Sequence, residues 1–131
     1  MSGLSNYAEV AVLNALLNNI SLAAGATIYA ALHTGDPGED GSGSVLSDSG
    51  YARKAVSFGS PVSGAGTCAN DAEVIFNAIA DAGPFVVTHF SIWDAVSGGN
   101  CLLKGALATG KSFSLDDVPR FPIGALVVTA A

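Results

Sequence analysis

Two histidines, a short acidic run and two cysteines are the side chains best able to do chemistry in this 131-residue chain. His33 and His89, each followed by an aspartate (Asp36 and Asp94), have the donor types of a two-histidine, one-carboxylate metal centre. Such a centre requires the two segments to be neighbouring strands, which sequence spacing alone does not fix. The expectation is that both are hydrogen-bonded packing residues. The run "DPGEDGSGS" (36–44) carries Asp36, Glu39 and Asp40, with Asp48 beyond it, and calcium needs such clustered oxygens. It does not follow D-x-[DN]-x-[DN]-G, and Pro37 stands at its second position. A turn at Asp36-Pro37-Gly38 is expected instead, since proline pre-sets φ and glycine permits the next dihedral. No Lys or Arg precedes Arg53 in this stretch, which argues against a phosphate site.

"GAGTCA" (64–69) has the spacing G-x-G-x-x-A but lies among turns and leads into a strand. A dinucleotide site needs the motif to follow a strand and open a helix, so a hairpin loop is expected. "GSGS" (41–44) and "SDSG" (47–50) do not fit the G-x-S-x-G nucleophile elbow. Cys68 and Cys101 match no zinc spacing. They are expected to be buried free thiols, with a disulfide as the alternative. No catalytic residue, metal ligand or cofactor-binding residue is assigned, and the chain is expected not to be an enzyme.

The elements that would position these groups read clearly in places. Asn6 and Glu9 have the spacing of a capping box opening a helix over 6–20. Val10, Leu13, Leu16, Leu17 and Ile20 make one apolar face of it; Asn18 and Asn19 suit its end, and Gly25 the turn beyond. The period then changes to two. "TIYAALH" (27–33) puts Ile28, Ala30 and Leu32 on one face, Tyr29 and His33 on the other. "YARKAVSF" (51–58) is the next strand, and a short one surrounds Val74 to Phe76. In "PFVVTHFSIWDA" (84–95), Val86, Thr88, Phe90 and Ile92 oppose Val87, His89, Ser91 and Trp93. Gly98-Gly99 suits a hairpin turn. "CLLKGALA" (101–108) returns, "TGKS" (109–112) turns, "SFSL" (112–115) is a short strand, and "FPIGALVVTA" (121–130) closes the fold. With no second helix between strands, parallel βαβ units are excluded in favour of an antiparallel sandwich. The expected fold is all-β: a jelly-roll-like antiparallel β-sandwich over about 26–130 with one N-terminal α-helix, forming a single domain over 1–131.

Composition narrows the partners. Half the residues are hydrophobic, 12% are charged and the net charge is −6. Nucleic acid and anionic membrane both require clustered Lys and Arg, and only Arg53-Lys54 is a local basic pair, so neither is expected. The N-terminal stretch lacks a basic n-region, and the apolar run after it is broken by Asn14, Asn18, Asn19 and Ser21. Neither a secretory signal nor a membrane span is expected.

"LSNYAEVAVLNALL", "TIYAALHTGDPG", "SGYARKAV", "VTHFSIWDAVSGGNCLLKGAL" and "FPIGALVVT", in this order across nearly the whole chain, resemble a family of small virion proteins of tailed bacteriophages. Members are often labelled tail fibre protein, and some are capsid cement (decoration) proteins with a jelly-roll fold. Where the family commonly has a Trp-Gly pair before its "vthf" strand, this chain has Gly83-Pro84-Phe85. The resemblance implies a structural role with no catalytic residues, and Tyr51, Arg53, His89 and Asp94 as scaffold positions. The expected function is capsid cement: binding the outer head surface, bridging major capsid proteins, and self-associating as a dimer or trimer. The expected location is the outer capsid surface of a virion assembled in the host cytoplasm. The alternatives are a tail or tail-fibre component, and a small metal- or sugar-binding jelly-roll module. Leu13, Leu16 and Leu17 on the helix, Asp36, Pro37, Glu39 and Asp40 in the loop, and Tyr51 and Arg53 are the candidate partner-interface residues.

Overall fold

The computed structural model describes residues 3–22 and 27–130. In chain order the elements are β1 (Gly3–Leu4), α1 (Asn6–Leu17), β2 (Ile28–His33), β3 (Lys54–Val56), β4 (Thr67–Ala69), β5 (Val74–Ile75), β6 (Phe85–Trp93), β7 (Cys101–Phe113), β8 (Arg120–Phe121) and β9 (Val127–Thr129). The expected all-β class with one N-terminal helix is observed, and every strand pair is antiparallel. A five-stranded sheet runs in the order β1-β7-β6-β2-β3. Against it lie two separate ribbons, β4-β9 and β5-β8, where a jelly roll would have one continuous second sheet.

The core sits between the sheet and the ribbons. Ala30, Leu32, Phe90 and Ile92 come from the sheet; Val74, Phe76, Phe121, Leu126 and Val128 come from the ribbons and their connections. Phe76 and Phe121 meet edge to face at 5.7 Å, the arrangement the ring quadrupoles favour. Gly105 stands opposite Phe90 in the β6–β7 register. A Cβ there would lie 2.7 Å from the Phe90 ring, so the missing side chain lets the ring lie flat on β7. The buried Asn70 side chain donates to the carbonyls of Ala72 and Pro122 and accepts from Leu126 N, stitching the two ribbons together.

Several boundaries differ from the sequence expectation for identifiable reasons. The helix ends at Leu17, three residues early, where Asn18 N bonds Asn14 O and Asn19 takes a left-handed φ of 55°. Its N-cap is Ser5, not Asn6, so the Asn6/Glu9 capping box does not form. Ser5 Oγ accepts from Ala8 N at 3.1 Å and also donates to Cys101 O, which ties the helix start to β7. The expected turn at Gly25 lies outside the described residues.

In β6 the alternation inverts. Val87 is fully buried with Phe90 and Ile92, while Val86 is exposed, because a bulge between Val87 and His89 shifts the register by which the two halves face the core. "TGKS" is no turn: β7 runs unbroken to Phe113, because its far end pairs with Phe85–Val87 beyond the same bulge. The closing segment, expected as one strand, splits into β8 and β9 about Gly124 (φ 84°).

Candidate functional site

The sheet face away from the core gathers most of the chemically able side chains. Cross-strand register puts His33 beside His89, Ala31 beside Ser91, and Ser91 beside Lys104. The long connection 34–50 folds back over this face. Thr34 N bonds Ser44 O at 2.8 Å, Leu46 N bonds Leu32 O at 3.0 Å, and His33 bridges to Val45, so its return limb extends the sheet locally. Pro37, Gly41, Leu46 and Asp48 are buried. The loop is therefore packed into the fold at these four positions, while Asp36, Glu39 and Asp40 remain exposed. Gly41 packs where a Cβ would meet Cys101 and Trp93 within 2.8 Å, at a φ of 75° that favours glycine.

Among the described residues, every buried side-chain nitrogen and oxygen has a hydrogen-bond partner. His33 is fully buried; Gly43 O lies 2.7 Å from its Nδ1 and Ser91 Oγ 2.7 Å from its Nε2. Trp93 Nε1 donates to the same Ser91 Oγ at 2.7 Å. The set closes with neutral His33 donating from Nδ1 to the carbonyl and accepting from the serine hydroxyl. Burial pushes the His33 pKa below 6.5, and His89 and Arg53 add to that, while the Gly43 carbonyl and Asp36 oppose it. His89 Nδ1 lies 2.8 Å from Thr88 Oγ1. The two histidines are thus strand neighbours, as a metal centre would require, but their nitrogens face different partners. Among the described residues, no group of three or more His, Cys, Asp or Glu is gathered to hold a metal ion.

The acidic loop residues serve turns and one buried cation. Asp36 Oδ1 accepts from Gly38 N at 2.9 Å, a side-chain-closed bend at the expected place, with the backbone turn itself one step on at Gly38–Gly41; the Gly38 bond holds the Asp36 carboxyl below its usual range. Asp40 accepts from Ser42 N and Oγ in the same way. Lys104, a buried lysine of β7, reaches Glu39 at 3.0 Å and Asp36 at 3.8 Å. The Glu39 bond is the main reason its pKa is raised. Asp48 is spent on the backbone: Oδ1 accepts from Ala80 N and Asp81 N, Oδ2 from Gly50 N.

Tyr51 and Arg53 are also engaged within the chain. Tyr51 OH accepts from Leu32 N at 3.3 Å. The Arg53 guanidinium stacks 3.8 Å from the Trp93 ring and donates to the carbonyls of Ala95 and Gly98, clamping the β6–β7 hairpin. Asp94 holds that hairpin from inside through Asn100 N and Nδ2. The scaffold role implied for Tyr51, Arg53 and Asp94 therefore matches their contacts. Both cysteines are free thiols; Cys101 is buried and its pKa is pushed up to about 11 by desolvation, while Cys68 is half-buried.

The helix presents the opposite situation. Ala8, Ala11, Val12 and Ala15 turn toward the domain, whereas Val10, Leu13, Leu16 and Leu17 point out, at 55–75% exposure. The large side chains are outside and the small ones inside. Of the interface candidates, only the three leucines present an unengaged apolar surface; Asp36, Glu39 and Asp40 are exposed but bonded, and Pro37 is buried. Three residues that matter most for the site, Ser5, Trp93 and Lys104, were not singled out for these roles from the sequence. For Lys104 half a signal existed: a lone lysine in an apolar strand needs a carboxylate, but Asp94, Asp116 and Asp117 lie nearer in sequence than the loop acids that supply it.

The site is thus a set of side chains mutually bonded over one sheet face of a small all-β protein, with an apolar helix turned outward. The chain belongs to the family described as podophage GP4 fiber I protein gp80, whose family model matches residues 3–129. It is accordingly a bacteriophage structural protein of a fibre-related family. No curated protein matches it.

Proposed function

We propose that this chain is a component of a podophage fibre. The observation that carries the reading is the family match across 3–129, whose description favours the fibre alternative over capsid cement. The geometry supports a binding rather than a catalytic role: both His33 nitrogens are occupied, the carboxylates cap turns or neutralise Lys104, and the Cys101 thiol is held protonated. Contact with neighbouring proteins would then stabilise the assembled state by mass action. The rigid loop and the clamped hairpin give such contacts a preformed surface, which lowers the ordering cost of binding.

Phage particles made without this chain test the reading. The fibre role predicts intact heads that keep their DNA through osmotic shock, together with impaired adsorption to the host. Normal adsorption with heads that leak DNA would overturn it and favour cement bound to the major capsid protein.

A further inference from the structure

Among the described residues, seven of the sixteen large hydrophobic side chains that are exposed lie between Tyr7 and Leu22; the other nine are scattered over the rest of the fold. Leu16 and Leu17, each 75% exposed, and Leu13 at 55% form a ridge along the outer side of α1. Beside the ridge, between the helix and the segment 20–22, runs an apolar groove of about 540 Å³ lined by Tyr7, Ala11, Ile20, Leu22 and Leu102. Val10, also in the lining, stands on the border between ridge and groove. Contiguous apolar surface of this kind marks an interaction site.

We infer that this face is a self-association surface whose occupant is the same helix of a second copy of the chain. Charge is the first argument. The chain carries eleven acidic and five basic side chains, so two copies repel. Residues 3–22 hold one acidic side chain, Glu9, and no Lys or Arg, so like-charged copies can approach here at little electrostatic cost. Shape is the second. Ridge and groove lie side by side on one segment, so a two-fold axis sets the ridge of each copy into the groove of the other. The two helices then run antiparallel, and the two Glu9 carboxylates fall at opposite ends of the contact.

Spacing and area complete the case. Val10, Leu13 and Leu17 recur at the three- and four-residue intervals by which one helix seats knobs in another. At roughly 100 Å² per aliphatic side chain, the partly exposed residues supply about 300–500 Å² per copy. A standard stable interface uses about 800 Å² per partner. The strip, with the groove walls, therefore fits a reversible dimer rather than a permanent one. This inference does not depend on where in the particle the protein sits.

Size-exclusion chromatography with light scattering on the purified full chain tests it, at protein concentrations from about 10 μM to about 1 mM, the range in which a weak complex becomes populated. The wild type is expected to show the mass of two copies, falling to one on dilution. The double variant Leu13→Glu/Leu17→Glu is expected to show one copy throughout, its affinity weakened about a hundredfold or more by two buried carboxylates per chain. Both side chains are more than half exposed, so the variant keeps its fold, which near-ultraviolet circular dichroism of Trp93 verifies. The milder pair Leu13→Ala/Leu17→Ala should weaken the dimer by an intermediate factor. A wild type that stays monomeric over this range, or a dimer indifferent to both pairs, would overturn the inference.

Discussion

His33 shows how a residue that looks like a ligand can instead be the peg for a loop. Its ring joins the return limb of the 34–50 connection to Ser91, and through it to Trp93. Because burial lowers its pKa, folding favours the neutral ring. The associated stability is fully present above the unfolded-state value of 6.5 and is lost progressively as pH falls from there to the folded-state pKa. The carboxylates with lowered pKa, Asp36, Asp40 and Asp94, act in a separate window, below their ordinary value of 3.8. We predict that urea midpoints of the wild type drop between about pH 7.5 and pH 5.5. His33→Leu should flatten that slope and lower stability by about 2–4 kcal/mol at the higher pH, since it leaves the Gly43 carbonyl and the Ser91 hydroxyl short of a partner. An unchanged pH slope in the variant would show that another group is responsible. The sequence placed His33 on a strand and made it a packing residue. It could not name Gly43 or Ser91, because the partner atoms come from a loop and from a strand 58 residues away.

The elements tell a similar story about which information is local. β2 and the start of the helix were legible because their periods repeat within a few residues, and the Gly98-Gly99 hairpin because its dihedrals demand glycine. The β6 bulge was not legible. It arises from the pairing of β6 with β7, where Val87 aligns with Lys111 but His89 with Ala106, and no alternation within β6 alone encodes that slip. Expected turn and strand breaks in β7 failed for the same reason. The Gly, Ser and Asp content of the 34–50 connection announces turns but not their direction: they are internal turns that let Pro37, Gly41 and Leu46 reach the sheet. Deleting residues 38–47 would remove Glu39 from Lys104, Gly43 from His33 and Leu46 from the core. Losing Leu46 from the core and uncovering His33 and Trp93 should cost about 3–5 kcal/mol, enough to unfold a marginal domain. Thermal unfolding of the deleted chain checks this; a cooperative transition within a few degrees of the wild type would show the loop to be an accessory.

At the scale of the whole molecule, the fold is held by one core between a five-stranded sheet and two ribbons, and its far face is sealed by its own loop. The helix carries a dense run of exposed apolar side chains, and its leucines were legible as an apolar face although their outward direction was not. Helical spacing reports which residues share a side and is silent on which side meets the domain. The helix faces outward because the inward side carries only alanines and Val12, small enough for the backbone to lie close against β1 and β7. Order and spacing of motifs across the chain pointed to a phage virion protein, and the family match placed it among fibre-related proteins. The central claim, a fibre component, is tested most directly by immunogold labelling of intact particles with an antibody against this chain, combined with a reconstruction of the labelled region. The account predicts a few copies per particle, confined to the fibres. Label spread in hundreds of copies over the head, with bare fibres, would contradict it.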